Sequence, residues 1–486
     1  MTYQHLERLS CKVAGVPAEF IYRFLQECEN NNIELHSVMM ARHGKVFFEA
    51  FARPYGPEIP HYVHSMTKAF TNTAAGLAYT QGLLNLDDKV ISFYPEHAPK
   101  EPTEYQKEMT VKDLITMRSG MDKDINGSEF RTIKTSWIAR YFQQPVPYKP
   151  GTHFFYCSGN TFMTSAIVQK VTGMTAHDVI NKYIVPELGM RPFTWTKSPE
   201  GICSGNSGIS LCVEDIVKFG QLYLNHGEWN GKQIIAREWA DRSLGLYDPV
   251  QRKEGDPLYN YHWMQYESED IYSAEGFLGQ FCSLVPKLDM VIAITSATGA
   301  KAEIGADAIL RDCIVEPMLK GAKESGDWED MLERKRQYMN LMPRMLKIED
   351  EPELNEARTY SAEENEDQIS RIILKFDHDS VLFGMEDHRG LNWVDAGLRE
   401  FKEGYTGITT NYLHHEMQSD HDHVFACAWW ETQNVLKMEW RFAETAFCDF
   451  VTVTFEGDTI RFNRRVNVNS KALERPTVTA HLADNR

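Results

Sequence analysis

Apolar positions along the chain follow two rhythms, and the change from one to the other divides it. Up to about residue 342 helical and strand-like runs alternate. Residues 17–30 carry Phe20, Ile21, Phe24 and Leu25 at helical spacing and predict an N-terminal helix. Residues 35–42, a His43-Gly44-Lys45 turn and residues 46–51 predict a β-hairpin. A loop rich in Pro and Gly, 54–60, leads into an apolar-periodic segment that opens at His64 and runs to about Leu84. Phe70, Ala74, Leu77 and Ala78 share its inner face. The small residues Ala69, Ala74, Ala75 and Gly76 predict tight packing, hence a buried central helix. Further helices are expected over 109–117, 161–171, 213–224 and, amphipathically, 304–319. Residues 259–263, 281–285 and 289–296 read as strands. Strands at both ends with helices between predict one antiparallel sheet with helices packed on it.

A connecting helix is expected over 328–342, then an acidic, polar linker over 349–368. Beyond it the helical rhythm almost disappears. Short β-type runs at 369–376, 380–383, 390–394, 423–430, 435–441, 449–455 and 459–463 alternate with turns, Glu456-Gly457-Asp458 among them. The fold class is therefore α+β, with a C-terminal antiparallel β domain, barrel or sandwich. The expected domains are 1–325, a connector over 326–368, and 369–486.

At 486 residues the chain is long enough for two cores. Its 42% apolar and 25% charged residues are those of an ordinary globular protein. A net charge of −18 repels phosphate backbones and anionic lipid, so neither nucleic acid nor a membrane surface is an expected partner. The first residues, Met1-Thr2-Tyr3-Gln4-His5-Leu6-Glu7, lack a basic region followed by an apolar core, and no signal peptide is expected. No apolar run is long enough to span a bilayer. The nine cysteines are scattered and show no metal-ligand spacing; they read as reduced thiols of a cytoplasmic protein.

Chemistry concentrates where the central helix begins. His64-Ser65-Met66-Thr67-Lys68 contains the chain's one Ser-x-x-Lys, which places an alcohol and an amine one turn apart on the same helical face. A serine at a helix start also has unpaired N–H groups and the positive dipole end beside it. Such a serine can act as a nucleophile if a base and an oxyanion site join it. Tyr156 is the candidate partner: it follows the Pro150-Gly151 loop signal and precedes a helix. A phenol is a poor base at its ordinary pKa of about 10, and a neighbouring ammonium favours its anion. Further on, Gly276 and Gly279 allow close backbone approach, so that the Phe277 N–H can converge with the Ser65 N–H on one oxygen.

These pieces, in this order, resemble the serine hydrolases of the class C β-lactamase, DD-peptidase and family VIII carboxylesterase superfamily. The supporting marks are Ser65-Met66-Thr67-Lys68, Leu86-Asp87-Asp88, Pro150-Gly151-x-x-Phe154-x-Tyr156, Val171-Thr172-Gly173 and Gly276-x-x-Gly279-Gln280. The resemblance implies a β-lactamase-like sheet flanked by helices plus an all-helical subdomain. It implies Ser65 as acylated nucleophile, Lys68 and Tyr156 as proton-transfer pair, and the N–H groups of Ser65 and Phe277 as oxyanion hole. The trailing β domain is similar to the layout of D-aminopeptidase relatives.

The departures carry information. The family's Tyr-x-Asn reads Tyr156-Cys157-Ser158, where Ser158 keeps a donor with shorter reach. The family's Lys-Thr-Gly reads Ala274-Glu275-Gly276, so the cation that meets a β-lactam carboxylate is replaced by Ala274, and Glu275 would repel an anion. The expected activity is hydrolysis of a small-molecule ester or amide through an acyl-enzyme on Ser65, without metal or other cofactor. The alternatives are a β-lactamase or DD-peptidase, and a hydrolase-like scaffold retained for binding. Oligomeric state is left open, a homo-oligomer included. His64 and Trp263 read as packing residues, and His414, His415, His421 and His423 as an exposed loop without zinc spacing.

Overall fold

The computed structural model describes all residues except 1–2, 126–130, 246–258, 267–270, 300, 301, 303, 344–346, 350, 353–355, 409–411, 418 and 484–486. Contacts divide the chain into two compact units. One comprises 1–50, 60–296 and 304–336, the other 51–59, 297–303 and 337–486.

The first unit is built on a seven-stranded antiparallel sheet. Its strands are β1 (Glu34–Arg42), β2 (Lys45–Phe51), β3 (Tyr259–Asn260), β4 (Trp263–Tyr266), β5 (Ile271–Gly276), β6 (Gln280–Val285) and β7 (Met290–Ala297). They lie in the order β2-β1-β7-β6-β5-β4-β3. The β1–β2 turn forms at His43-Gly44, both with positive φ, as the hairpin signal predicted. The expected strand over 259–263 is instead two short strands joined by a two-residue turn at Tyr261-His262.

The helices follow the predicted rhythm. α1 (Ala18–Asn30) buries Phe20, Ile21, Phe24 and Leu25. The central helix begins as a 3₁₀ turn, His64–Met66, and continues as α2 (Thr67–Thr80). Every α2 residue from Thr67 to Ala78 is buried. The small residues are what allow this: a Cβ on Gly76 would lie 2.4 Å from the Trp239 indole. α3 (Ser158–Thr172) packs against α2 and stops at Gly173, whose φ of 69° supplies a left-handed C-cap. α4 (Val213–Leu224) packs on the sheet against β1 and β6. The amphipathic helix expected over 304–319 is interrupted by a π-turn at Arg311–Val315. α5 (Glu329–Gln337) is the shorter form of the helix expected over 328–342.

The second unit is β-rich. Its strands are β8 (Arg358–Ala362), β9 (Arg371–Phe376), β10 (Ser380–Asp387), β11 (Gly390–Leu398), β12 (Lys402–Thr406), β13 (Asp422–Thr432), β14 (Val435–Phe442), β15 (Cys448–Glu456), β16 (Thr459–Val466) and β17 (Val478–Leu482). β8 lies inside the acidic run read as a linker, and pairs with β9 and β17. The antiparallel order β11-β10-β9-β8-β17-β16-β15-β14-β13-β12 is closed by parallel β11–β13 pairing into a nine-stranded barrel. Of barrel and sandwich, barrel is correct, and closure removes the exposed edges of an open sheet. Alternation is clean on β16, where Ile460, Phe462, Arg464 and Val466 are buried and Arg461 and Arg465 are exposed.

The histidine cluster differs from expectation. His414 is buried, 3% exposed, and bonded to Asp449, which also binds Arg464. His423 meets Glu403 and His415 meets Ser470. The sequence reading missed this because the partners come from other strands. Among the described residues no group of three or more His, Cys, Asp or Glu side chains could hold a metal ion. Nor is any helix there long and apolar enough to cross a membrane.

Candidate active site

Ser65 sits in the 3₁₀ turn that opens the central helix. The residue before it, His64, has φ +46°, a left-handed conformation uncommon for a side chain of this size. Such a sharp entry presents Ser65 at the end of α2. Lys68 lies one turn on and is 1% exposed. Its Nζ donates to Ser65 Oγ at 2.9 Å and to the Asn206 carbonyl at 3.0 Å. The same nitrogen lies 4.8 Å from the centre of the Tyr156 ring. Ser65, Lys68 and Tyr156, distant or adjacent in sequence, therefore meet at one point.

Each arm is fixed from behind. Tyr156 is 39% exposed, but its backbone neighbours are held: Phe155 N–H donates to the Met117 carbonyl at 2.9 Å, and Cys157 N–H to the Met117 sulfur at 3.4 Å. The Asn206 loop is pinned by Thr71, whose hydroxyl donates to the Gly205 carbonyl at 2.7 Å. Gly205 has φ +69°, and a Cβ there would lie 2.6 Å from the Thr161 carbonyl, so the backbone approaches α3 as only glycine allows. The Gly205-Asn206-Ser207-Gly208 run, with two glycines around small polar residues, is the available sequence signal for this approach.

β5 reaches the site from the sheet. A Cβ on Gly276 would lie 2.2 Å from the Val63 carbonyl, so this glycine lets β5 press against the turn that carries Ser65. Phe277 follows it, its ring edge-on to His64 at 5.7 Å. The Gly276–Phe277 backbone is thus beside the turn that carries Ser65. Ala274 is 1% exposed and paired with Cys282 within the sheet.

The Ser158 hydroxyl points elsewhere than expected. It donates to Asp124 at 3.3 Å, and the Ser158 N–H donates to the same carboxylate at 2.5 Å. Asp124 so caps the N-terminus of α3, where the side chain of the N-cap Cys157 makes no capping bond. Burial pushes the Asp124 carboxyl above the ordinary range, against the Ser158 N–H bond and the Lys68 charge. Nothing in the sequence marked Asp124 as part of this group. Tyr259 and His262, at the β3–β4 hairpin, were also missed. The Tyr259 ring stands edge-on to Tyr156 at 5.9 Å. Burial pushes the Cys157 thiol up to about 12, which leaves it inert beside the site.

A Ser-x-x-Lys pair at the head of a buried helix, beside an antiparallel sheet and faced by a tyrosine, defines a protein of the β-lactamase-like fold. The Beta-lactamase family profile matches residues 30–312, more than half the chain, and the chain belongs to that family. It is 24% identical over 279 residues to 6-aminohexanoate-dimer hydrolase of Paenarthrobacter ureafaciens, covering 52% of this chain and 70% of that protein. Among solved structures it is similar to an octameric penicillin-binding protein homologue from Pyrococcus abyssi. That likeness has 15% identity and a TM-score of 0.50, and covers 95% of this chain and 99% of that one. It is also similar to EstCE1, described as a hydrolase with promiscuous acyltransferase activity, at 16% identity and a TM-score of 0.51 over 62% of this chain and 99% of that one. At these identities the structural likeness is one of fold.

Proposed function

We propose that the protein is a serine hydrolase that cleaves an ester or amide through an acyl-enzyme on Ser65. The observation that carries this reading is the 2.9 Å contact between Lys68 Nζ and Ser65 Oγ, made over the Tyr156 ring. The Asn206 carbonyl can only accept, so it takes one N–H of Lys68 and orients the nitrogen toward Ser65. Ser65 Oγ attacks the substrate carbonyl carbon as its proton passes to Lys68 or Tyr156. The oxygen that becomes negative is met by the N–H groups of Ser65 and Phe277, for which the close Gly276 approach is the support. The same pair returns the proton to the leaving alcohol or amine. Water then adds to the acyl carbon, its proton taken by that pair, and Ser65 is released. These steps use side chains, backbone groups and water.

Esterase or amidase is preferred over β-lactamase. Ala274, buried in β5, supplies no cation for a substrate carboxylate. The amide-cleaving name of the Paenarthrobacter relative and the hydrolase description of EstCE1 favour the same class. Assembly into a homo-oligomer belongs to the reading, since the homologue that matches both units is octameric; light scattering of the purified protein reads it directly.

A fluorophosphonate probe tests the chemistry. It is expected to label Ser65, found as an adduct mass on the peptide that contains it, and to leave Ser65→Ala unlabelled. Equal labelling of both proteins removes the reading. In a substrate panel p-nitrophenyl esters or small amino-acid amides are expected to turn over, and nitrocefin is not.

A further inference from the structure

The hairpin that carries Tyr259 is built unusually. Tyr259 pairs with Met264 and Asn260 with Trp263, so Tyr261 and His262 alone form the turn. Both have positive φ, +35° and +70°. Two-residue turns of this kind favour Asn-Gly, Asp-Gly or Gly-Gly, and this one holds two ring side chains instead. Turn tips are normally solvated, yet both residues are buried, His262 to 4% exposure. A strained and buried conformation persists where the side chain is needed in place.

What His262 does there follows from its bonds. Its Nδ1 lies 2.9 Å from the Tyr259 hydroxyl. Burial, aided by the Lys68 charge, pushes the imidazole down to about 3, so it is neutral and carries one proton. Its buried Nε2 has no hydrogen-bond partner among the described residues. The Nδ1–hydroxyl contact is therefore the one hydrogen bond that ties this imidazole to the described residues, and it joins His262 to Tyr259. Burial, with the Tyr156 and Glu275 charges, pushes the Tyr259 phenol well above its ordinary range, so it stays a donor. Its ring is clamped edge-on between Phe154 at 5.7 Å and Tyr156 at 5.9 Å.

We infer that His262, acting through Tyr259, is a positioning residue for Tyr156, holding its ring over Lys68. The inference rests on the hydrolase reading above. His262 fixes the Tyr259 hydroxyl, and the Tyr259 ring fixes the face of Tyr156 during proton transfer.

Three variants of the full chain test it. His262→Gly gives the turn a residue suited to positive φ and removes the imidazole that meets Tyr259. His262→Asn also suits the turn and keeps an amide that can donate or accept near the Nδ1 position. Tyr259→Phe keeps the ring and removes the hydroxyl. Each is assayed on p-nitrophenyl acetate, with turnover expressed per Ser65 labelled by the fluorophosphonate. His262→Gly and Tyr259→Phe are expected to lower kcat about tenfold with KM within about twofold, and His262→Asn to recover to within about threefold of the native enzyme. Native kcat per labelled Ser65 in His262→Gly, or an Asn variant as slow as the Gly one, overturns the inference and leaves the hydrolase reading standing. Loss of folded protein with unchanged kcat per labelled site assigns a structural role only and overturns it too. An unlabelled native Ser65 defeats both.

Discussion

Lys68 is a buried amine surrounded by groups that can each use one of its faces. Burying such a group without partners is costly. Ser65 Oγ and the Asn206 carbonyl satisfy two directions and the Tyr156 ring covers a third. Lys68→Met preserves much of the volume and removes the nitrogen. We expect kcat on a p-nitrophenyl ester to fall roughly 10²- to 10⁴-fold, the range of a lost acid–base group, with little change in KM. Steady-state kinetics of the folded variant checks it, and a kcat within threefold of native would remove Lys68 from the proton relay. The meeting of Ser65, Lys68 and Tyr156 was legible in the sequence because the proposed chemistry restricts their types and helix geometry restricts the first spacing. Asp124, Asn206 and His262 were not. Asn206 contributes a backbone carbonyl, which any residue carries. Asp124 reaches Ser158 across 34 positions, and His262 acts through a second residue.

At the scale of elements the site depends on a strand touching a turn. β5 comes so near the 3₁₀ turn of Ser65 that the Gly276 position has no room for a Cβ, with the Val63 carbonyl 2.2 Å from where it would be. The contact is backbone to backbone, and no rotamer change relieves it. Gly276→Ala must push β5 away from Ser65, or tilt the turn. We expect a loss of about 1–3 kcal/mol, the usual cost of overpacking, and a fall in kcat/KM of at least about 100-fold. Denaturant titration and ester kinetics on the same preparation check both; normal kinetics would separate β5 from the oxyanion site. The Gly-x-x-Gly-Gln spacing revealed this element because contact requires Gly276 and a φ of +89° favours glycine at Gly279. The β3–β4 hairpin was read as one strand because Tyr261-His262 offers no turn residue. β8 was read as linker because its acidic surroundings hide a short alternating run, and a strand there becomes stable only through pairing with β9 and β17.

For the molecule as a whole, the N-terminal segment is tied to the first unit by one carboxylate on α4. Glu214 accepts from Tyr3 Oη at 2.6 Å, Leu6 N–H at 2.6 Å and Arg8 Nη1 at 2.7 Å, and lies 2.9 Å from His5 Nδ1. Burial alone would raise the Glu214 carboxyl, but the bonds from Arg8, Tyr3 and Leu6 outweigh it and hold the group down to about 2, from an ordinary value of 4.5. Between these values the unfolded chain binds the proton and the folded protein does not, so stability rises with pH. The contribution is complete above about pH 4.5 and is lost as pH falls through 2. Its size is on the order of 2–3 kcal/mol. Asp215 beside it works the other way: burial pushes it up to about 6, so stability falls as pH rises from the ordinary 3.8 to that value, and the cost stands in full above it. A native-minus-variant comparison removes Asp215 from the account to the extent that its surroundings stay the same. Glu214→Gln is therefore expected to be less stable than native by about 2–3 kcal/mol at pH 7, and the gap to close as pH falls from 4.5 towards 2. Urea denaturation at pH 7, 4.5 and 3 measures that gap. A constant gap across the series would mean that Glu214 acts by packing alone, and the charge-held N-terminal tie would have to be abandoned.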